Sequence, residues 1–170
     1  MARILLVRHG EAEGNSEHRF IGQSQTPLTA RGRGQAVALA QRMAAVPMAA
    51  IYASDLPRVA DTVAPLAATA GVTVEYDRRW REIASGEWTG LSPAEIASGW
   101  PDLWRRYAAG VDVERPGGES WSDVRKRTIA AVEDIAAGHG AADIVVVATH
   151  AGPIAGLLMW AAGLPPGAVF

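Results

Sequence analysis

Residues 3–11 read RILLVRHGE, an apolar run that stops at a basic pair and a glycine. A short run of this kind is typical of a buried β-strand that ends in a turn. In open α/β sheets, ligands bind at such strand ends. This one carries the guanidinium of Arg8, a planar donor that suits anions, beside the imidazole of His9, which can act as a nucleophile. A phosphate-binding site is the first hypothesis, and a surface strand end with two basic residues is the alternative.

Three further apolar runs indicate strands, and helical patterns lie between the runs. The predicted strands cover residues 3–7, 49–53, 72–76 and 144–149, and the predicted helices cover residues 29–45, 55–70, 119–137 and 153–162. Run 144–149 is apolar on both faces, which favours a central strand that is covered on both sides. Strands that alternate with helices predict a parallel sheet. We therefore expect an α/β fold, a three-layer α/β/α sandwich with a mostly parallel central sheet.

Capping residues and prolines indicate where the helices begin and end. Thr29, Ser120, and either Ser54 or Asp55 are suited to cap three of the predicted helices. Pro65 lies inside the second of these helices and is expected to kink or shorten it.

Residues 85–118 interrupt the alternation of strands and helices. This segment holds Trp88, Trp100 and Trp104 among glycines and prolines. We expect a single domain over residues 1–170, in which the segment forms a small helical excursion, or lid, over the active site. The tryptophans are expected to form the core of this excursion rather than a platform for a ligand. Substrate specificity is expected to depend on the same segment.

The composition limits the possible partners. The 170 residues carry a net charge of −2 and include no cysteine. A binder of nucleic acid or of an anionic membrane would need a basic surface, so neither partner is expected. Thiolate metal sites and a cysteine nucleophile are excluded. No signal-peptide core and no membrane-spanning run is visible, which predicts a cytoplasmic protein and leaves its oligomeric state open.

A second histidine follows another strand. His150 comes directly after run 144–149, so two distant strands each end in a histidine at the same expected edge of the sheet. Arg58 lies in the first turn of the predicted helix that follows a third strand. Together with Arg8 and His9, these side chains could surround one tetrahedral anion.

The chain resembles the histidine phosphatase superfamily, in its phosphoglycerate mutase-like branch with an RHG signature. The resemblance covers nearly the whole chain in the order of the family. The matching pieces are Val7-Arg8-His9-Gly10-Glu11 with Asn15, Gly22 through Pro27-Leu28-Thr29 to Gln35-Ala36, Ser54-Asp55-Leu56 with Arg58 and Thr62, Glu82 with Gly86-Glu87-Trp88, Gly117-Gly118-Glu119-Ser120, and Thr149-His150.

The resemblance implies a role for each matching site residue. His9 would attack phosphorus and become phosphohistidine, with its other ring nitrogen donating to a backbone carbonyl. Arg8 and Arg58 would bind the oxygens of the phosphoryl group, and His150 would donate to the same oxygens. The further phosphate-binding positions that the resemblance implies are Asn15, Gly22 and Ala151. No metal and no cofactor is expected, because arginine and histidine cations replace the usual divalent ion.

Glu82 matches the acidic residue of the family that protonates the leaving alcohol and then activates water. That role needs a pKa raised by burial or by neighbouring groups. The alternative is a surface glutamate that pairs with Arg79 or Arg81. Glu87 is a second, weaker candidate for the acid.

The leading functional prediction is a phosphomonoester hydrolase that acts on a small phosphorylated metabolite through phosphohistidine. One alternative is a mutase-type phosphoryl transfer that depends on a phosphorylated cofactor. The segment 85–118 offers some basic character for such a transfer in Arg105, Arg106 and Arg115. A phosphate-binding module without catalysis is a further alternative. A metal site of two histidines is disfavoured because the arginines would repel a cation.

Two departures from the family pattern carry structural expectations. Ala151 stands where a glycine is usual, so the backbone there is expected to approach the phosphate less closely. Family members commonly continue with another strand beyond the position of Phe170, so we expect that a C-terminal edge strand is missing from the sheet.

Overall fold

The computed structural model describes residues 2–14 and 18–165 of the chain, and four strands in this part form one sheet. The strands are β1 (Arg3–Arg8), β2 (Met48–Ala53), β3 (Val74–Tyr76) and β4 (Ile144–Thr149). Their order is β1-β4-β2-β3, and each neighbouring pair is parallel. Strand β4 therefore lies in the interior of the sheet, which confirms the prediction from its apolar run. The expectation that the sheet lacks a C-terminal edge strand stays a prediction.

Helices cover both faces of this sheet. They are α1 (Ala30–Met43), α2 (Pro57–Ala70), α3 (Pro93–Gly99), α4 (Pro101–Ala108), α5 (Trp121–Gly138) and α6 (Ala151–Ala161). Val146 and Ala148 of β4 pack with α1 and α2, whereas Val145 and Val147 pack with α5 and α6. This alternation places one core on each side of the sheet. The three-layer α/β/α sandwich is thus confirmed. No helix in the described ranges combines the length and the apolar character that crossing a bilayer requires.

Two helices begin at the capping residues that the sequence predicts. The side chain of Thr29 accepts from the backbone N–H of Gly32 at the start of α1. Ser120 and Asp123 form a reciprocal capping box at the start of α5.

Helix α2 differs from the prediction at its cap and at its proline. Its N-cap is Leu56, and neither Ser54 nor Asp55 caps it, because Asp55 pairs with Arg81 and the Ser54 hydroxyl bonds the ring of His150. Of the two effects expected of Pro65, the shortening does not occur, since the helix continues to Ala70, and the kink stays a prediction. The carbonyl that Pro65 leaves without a donor belongs to Asp61, which is exposed and can be hydrated by water.

Helix α6 begins at Ala151, two residues before the predicted start, with His150 as its N-cap. Pro153 then lies in the first turn, where its missing N–H removes no helical hydrogen bond.

The segment 85–118 packs around its own aromatic core. Buried Trp88 and Ile96 contact Phe20, Trp100 and Trp104. The interpretation of the tryptophans as core residues is therefore confirmed. A 3₁₀ turn at Gly86–Trp88 precedes α3 and α4, and the segment returns to the sandwich just before α5.

Candidate active site

The parallel pairing of β1 and β4 brings the two strand-end histidines together. Arg8 is in register with Thr149, so His9 and His150 leave the sheet side by side. Their ring centroids are 5.0 Å apart, with the ring planes inclined at 63°. A cavity of about 350 Å³ opens beside His9, and His150 lies behind His9 without lining this cavity itself. Its lining includes these predicted site residues: Arg8, His9, Gly22, Arg58, Glu82 and Ala151.

His9 is a buried, neutral imidazole with a defined tautomer. Its Nδ1 lies 2.7 Å from the carbonyl oxygen of Gly10 and must carry the proton to donate there. The Nε2 lone pair is therefore left for another partner. Burial is the main cause that lowers the pKa of His9 to about 4, and the positive charges of Arg58 and Arg8 act in the same direction. A ring in this state can act as a nucleophile at neutral pH.

His150 is fully buried, and its ring is held by Ser54. The Nε2 atom of His150 lies 2.9 Å from the hydroxyl oxygen of Ser54, which also accepts from the backbone N–H of Leu56 at 3.3 Å. The hydroxyl oxygen of Ser54 accepts from Leu56, so its own proton is available to donate to Nε2 of His150. In this arrangement the ring proton of His150 is on Nδ1. Nδ1 is buried and has no partner among the described residues. Burial lowers the pKa of His150 well below its usual value, so the ring is neutral.

Arg58 is buried and holds the loop at residues 22–26. Its Nη2 donates to the carbonyl of Gly22 at 2.8 Å, and its Nη1 donates to the carbonyl of Ser24 at 2.8 Å and to the Thr26 hydroxyl at 3.3 Å. Gly22 has φ of +52°, and a Cβ there would contact Ser85, so the turn requires glycine. Arg58 thus holds this loop by three hydrogen bonds and also lines the cavity. Arg8, in contrast, is exposed at the cavity.

Glu82 faces the cavity, and no cationic side chain of the described residues forms an ion pair with its carboxylate. One carboxylate oxygen accepts from the N–H of Ile83 at 2.9 Å, and the other lies 3.4 Å from the N–H of Gly152. Burial raises the pKa of Glu82 above its usual value, against the opposing effect of these N–H groups.

The alternative ion pairs of Glu82 do not form. Arg81 makes a two-point contact of 2.5 Å with Asp55, and Arg79 pairs with Asp77 and Asp134. The backbone carbonyl of Glu82 accepts instead from Gln23 and Arg127, each at 3.0 Å. These two donors fix the position of the residue and leave its carboxylate free to exchange a proton.

The sequence prediction did not identify several residues as neighbours of the site. Ser54 was interpreted only as a helix cap, and Gly152 only as part of a turn. Gly152 must be small because a Cβ at this position would run into the carboxylate of Glu82. Trp121, the first residue of α5, also lines the cavity. Its place there depends on how α5 packs against the rest of the domain, which no local sequence pattern indicates.

Two further expectations concern Asn15 and Glu87. Asn15, predicted to bind phosphate, lies outside the described residues. Glu87, the second candidate for the acid, does not line the cavity. In the described part of the chain, no group of three or more histidine, aspartate and glutamate residues could hold a metal ion.

The chain belongs to the histidine phosphatase superfamily (branch 1), whose family model matches residues 4–170. A glucosyl-3-phosphoglycerate phosphatase from Mycolicibacterium vanbaalenii is 35% identical over 169 residues, which span 96% of this chain and 75% of that protein. A protein from Shigella dysenteriae named "Probable phosphoglycerate mutase GpmB" is 38% identical over 137 residues, covering 78% of this chain and 62% of its own length.

A solved structure extends the likeness to three dimensions. The mycobacterial glucosyl-3-phosphoglycerate phosphatase Rv2419c has a TM-score of 0.86 and 35% identity, over 98% of this chain and 82% of that one. Further structures of that enzyme hold VO3 or inorganic phosphate. Family and relatives together identify this protein as a phosphomonoester hydrolase of the superfamily.

Proposed function

We propose that the protein hydrolyses a small phosphomonoester in two steps through a phosphohistidine at His9. The observation that carries this proposal is the 2.7 Å contact between Nδ1 of His9 and the carbonyl of Gly10. Because Nδ1 holds the proton, Nε2 is the atom that attacks phosphorus, and the bond to the leaving oxygen breaks in line with the attack.

Arg8, Arg58 and His150 are proposed to stabilise the charge on the phosphoryl oxygens. Arg8 would donate from the open side of the cavity and Arg58 from the buried side. The unpartnered Nδ1 of His150 supports its assignment as a neutral donor. The backbone at Gly22 and Ala151 and, as expected from the sequence, the amide of Asn15 complete the proposed phosphate site.

Glu82 is proposed as the general acid and base. Its raised pKa favours the protonated form that gives a proton to the leaving alcohol. After the alcohol departs, the ionised carboxylate takes a proton from water, which attacks phosphorus and restores His9. Neither step uses a metal ion, since the arginines supply the positive charge.

The test is hydrolysis of p-nitrophenyl phosphate and of an alkyl phosphate by two variants. His9→Ala is expected to lose activity towards both by at least about a thousandfold, because the nucleophile is removed. In kcat/KM, which reports the step that phosphorylates His9, Glu82→Gln is expected to lose about a hundredfold or more towards the alkyl phosphate and much less towards p-nitrophenyl phosphate, whose leaving group needs no proton. More than a few per cent of wild-type activity in His9→Ala would contradict the nucleophile, and equal losses for the two esters in Glu82→Gln would contradict the acid.

Transfer to a second hydroxyl, as in a mutase, is the second candidate because one relative carries that name. The two activities separate on a phosphoglycerate substrate: a hydrolase releases inorganic phosphate, whereas a mutase converts the ester to its positional isomer. We propose hydrolysis as the main reaction. We also propose that residues 1–170 work as one domain, with residues 85–118 as a lid over the cavity. The cytoplasmic location stays a prediction.

A further inference from the structure

Trp121 is a buried aromatic residue in the wall of the active-site cavity, at the first position of α5. Only 7% of the residue is exposed, and it lines the same cavity as His9 and Glu82. Its side chain forms a small apolar cluster with Ile83 and Val124. None of the catalytic roles proposed above uses this tryptophan.

The ring of Trp121 and the carboxyl group of Glu82 lie against the same backbone position. A Cβ at residue 152 would be 3.1 Å from Cζ3 of Trp121 and 3.3 Å from the carboxyl carbon of Glu82. Ile83, which follows Glu82 in the chain, packs with the same tryptophan. An apolar ring therefore occupies space beside this carboxyl that water would otherwise fill.

Two kinds of contact hold this ring in place. The carboxylate of Asp112 accepts from the backbone N–H of Trp121 at 2.8 Å and from that of Ser122 at 3.0 Å, so the segment 85–118 is tied to the first turn of α5. The guanidinium of Arg115 stacks on the ring, with its central carbon 4.9 Å from the ring centre.

The charges around Glu82 favour its ionised form, and burial opposes them. The arginines that line the cavity or interact with the charge of Glu82 are Arg8, Arg19, Arg58, Arg115 and Arg127. The cavity also holds the titratable side chains of His9 and Tyr107. Arg58 and Arg127 lower the pKa of Glu82, yet burial outweighs them and raises it. The removal of water from this carboxyl therefore decides its protonation.

We propose that Trp121 is a positioning residue whose ring keeps water away from the carboxyl of Glu82, so that this carboxyl holds its proton until the leaving oxygen takes it. This inference rests on the proposed role of Glu82 as the general acid. The ring acts by disfavouring the ionised carboxylate, which is stabilised by water. Asp112 and Arg115 contribute by holding the ring.

The test replaces the ring and follows activity against pH. Trp121→Gln admits water beside the carboxyl, whereas Trp121→Phe keeps an apolar ring. At each pH between 5 and 9, kcat/KM of the variant is divided by that of the wild type, so that the ionisation of the substrate cancels.

The expected result differs between two esters. With glycerol 3-phosphate, the ratio for Trp121→Gln should fall by at least about tenfold as the pH rises, because a hydrated Glu82 loses its proton about one pH unit lower. With p-nitrophenyl phosphate, whose leaving group needs no acid, the ratio should not change with pH. Trp121→Phe should restore most of the wild-type profile. A ratio for Trp121→Gln that is independent of pH with both esters would overturn the inference, since a purely structural loss has that signature.

Trp160→Gln is the matched control, because Trp160 is exposed on α6 and does not line the cavity. Its ratio should be independent of pH with both esters. If Trp121→Gln does not fold, Trp121→Leu takes its place, since leucine keeps the apolar cluster but fills less space beside the carboxyl. It should show at least about a threefold fall with glycerol 3-phosphate, and a ratio independent of pH would overturn the inference.

A direct titration separates this inference from the proposed function. Carbon-13 NMR of protein labelled at the glutamate carboxyl carbons measures the pKa of Glu82 without turnover, and the signal that Glu82→Gln lacks assigns it. Trp121→Gln should lower this pKa by at least about one pH unit, and an unchanged value would overturn the inference. If Glu82→Gln instead loses equally in kcat/KM towards both esters, the proposed acid has failed, which is a separate result.

Discussion

His9 owes its reactivity to burial and to one hydrogen bond. Of its two nitrogens, the backbone of the adjacent Gly10 occupies Nδ1, which leaves Nε2 with a free lone pair. Burial and the nearby arginines keep the ring neutral. The arginines that are proposed to hold a phosphate therefore also help to keep the proposed nucleophile unprotonated before the substrate binds.

The lowered pKa of His9 predicts how stability depends on pH. Its pKa is about 4 in the folded protein and 6.5 in the reference state, so between these values the unfolded chain binds more protons. The free energy of unfolding should therefore rise from pH 4 to pH 6.5, and His150 acts in the same direction. We expect a smaller rise in His9→Asn than in the wild type, measured by chemical denaturation at pH 5 and pH 7.5.

The control for this measurement is His18→Asn, because His18 is exposed. Its rise should match that of the wild type. If His9→Asn and the wild type gain equal stability between the two pH values, His9 is not a buried neutral ring.

Helix α6 contributes to the site through its first turn. The N–H of Gly152 approaches the carboxylate of Glu82, and this approach is possible only because residue 152 has no side chain. The proposed general acid thus lies against a helix N-terminus, whose partial positive charge opposes the effect of burial, which raises the pKa of Glu82.

A methyl group at position 152 should displace Glu82. We expect Gly152→Ala to lower kcat for alkyl phosphates by about tenfold or more, because misplaced catalytic groups are costly. Gly156→Ala is the matched control on the same helix, since its Cβ would meet nothing within 4 Å. That variant should keep full activity and be slightly more stable, as alanine favours a helix. Unchanged kinetics in Gly152→Ala would show that Glu82 does not need its observed position.

The molecule as a whole carries a net charge of −2, yet its cavity is lined with Arg8, Arg58 and Arg115. The positive charge that would bind an anion is thus clustered in the cavity, as the sequence predicts. We expect activity to survive exhaustive treatment with EDTA, because these side chains supply the charge that a metal would otherwise bring. Vanadate is expected to inhibit in competition with substrate. Loss of activity with EDTA that Mg²⁺ restores would contradict this part of the mechanism.

The sequence predicts much of this arrangement because its signals are local. The apolar runs that end in His9 and His150 indicate the sheet edge, and the family resemblance adds Glu82. The site contacts that the sequence does not predict depend on packing between segments that are distant along the chain. Ser54 bonds His150 across 96 residues of chain, and Arg115 reaches its aromatic neighbours only through the fold of residues 85–118. No periodicity or motif in the sequence indicates such contacts.

The most direct test is to trap the phosphorylated enzyme. Glu82→Gln should accumulate it when mixed with p-nitrophenyl phosphate, because the leaving group departs without acid help while the attack of water is slow. After rapid quenching in alkali, which preserves phosphohistidine, mass spectrometry is expected to find one phosphoryl group on His9. Phosphate on another residue, or turnover with no phosphorylated enzyme in any variant, would contradict the central claim.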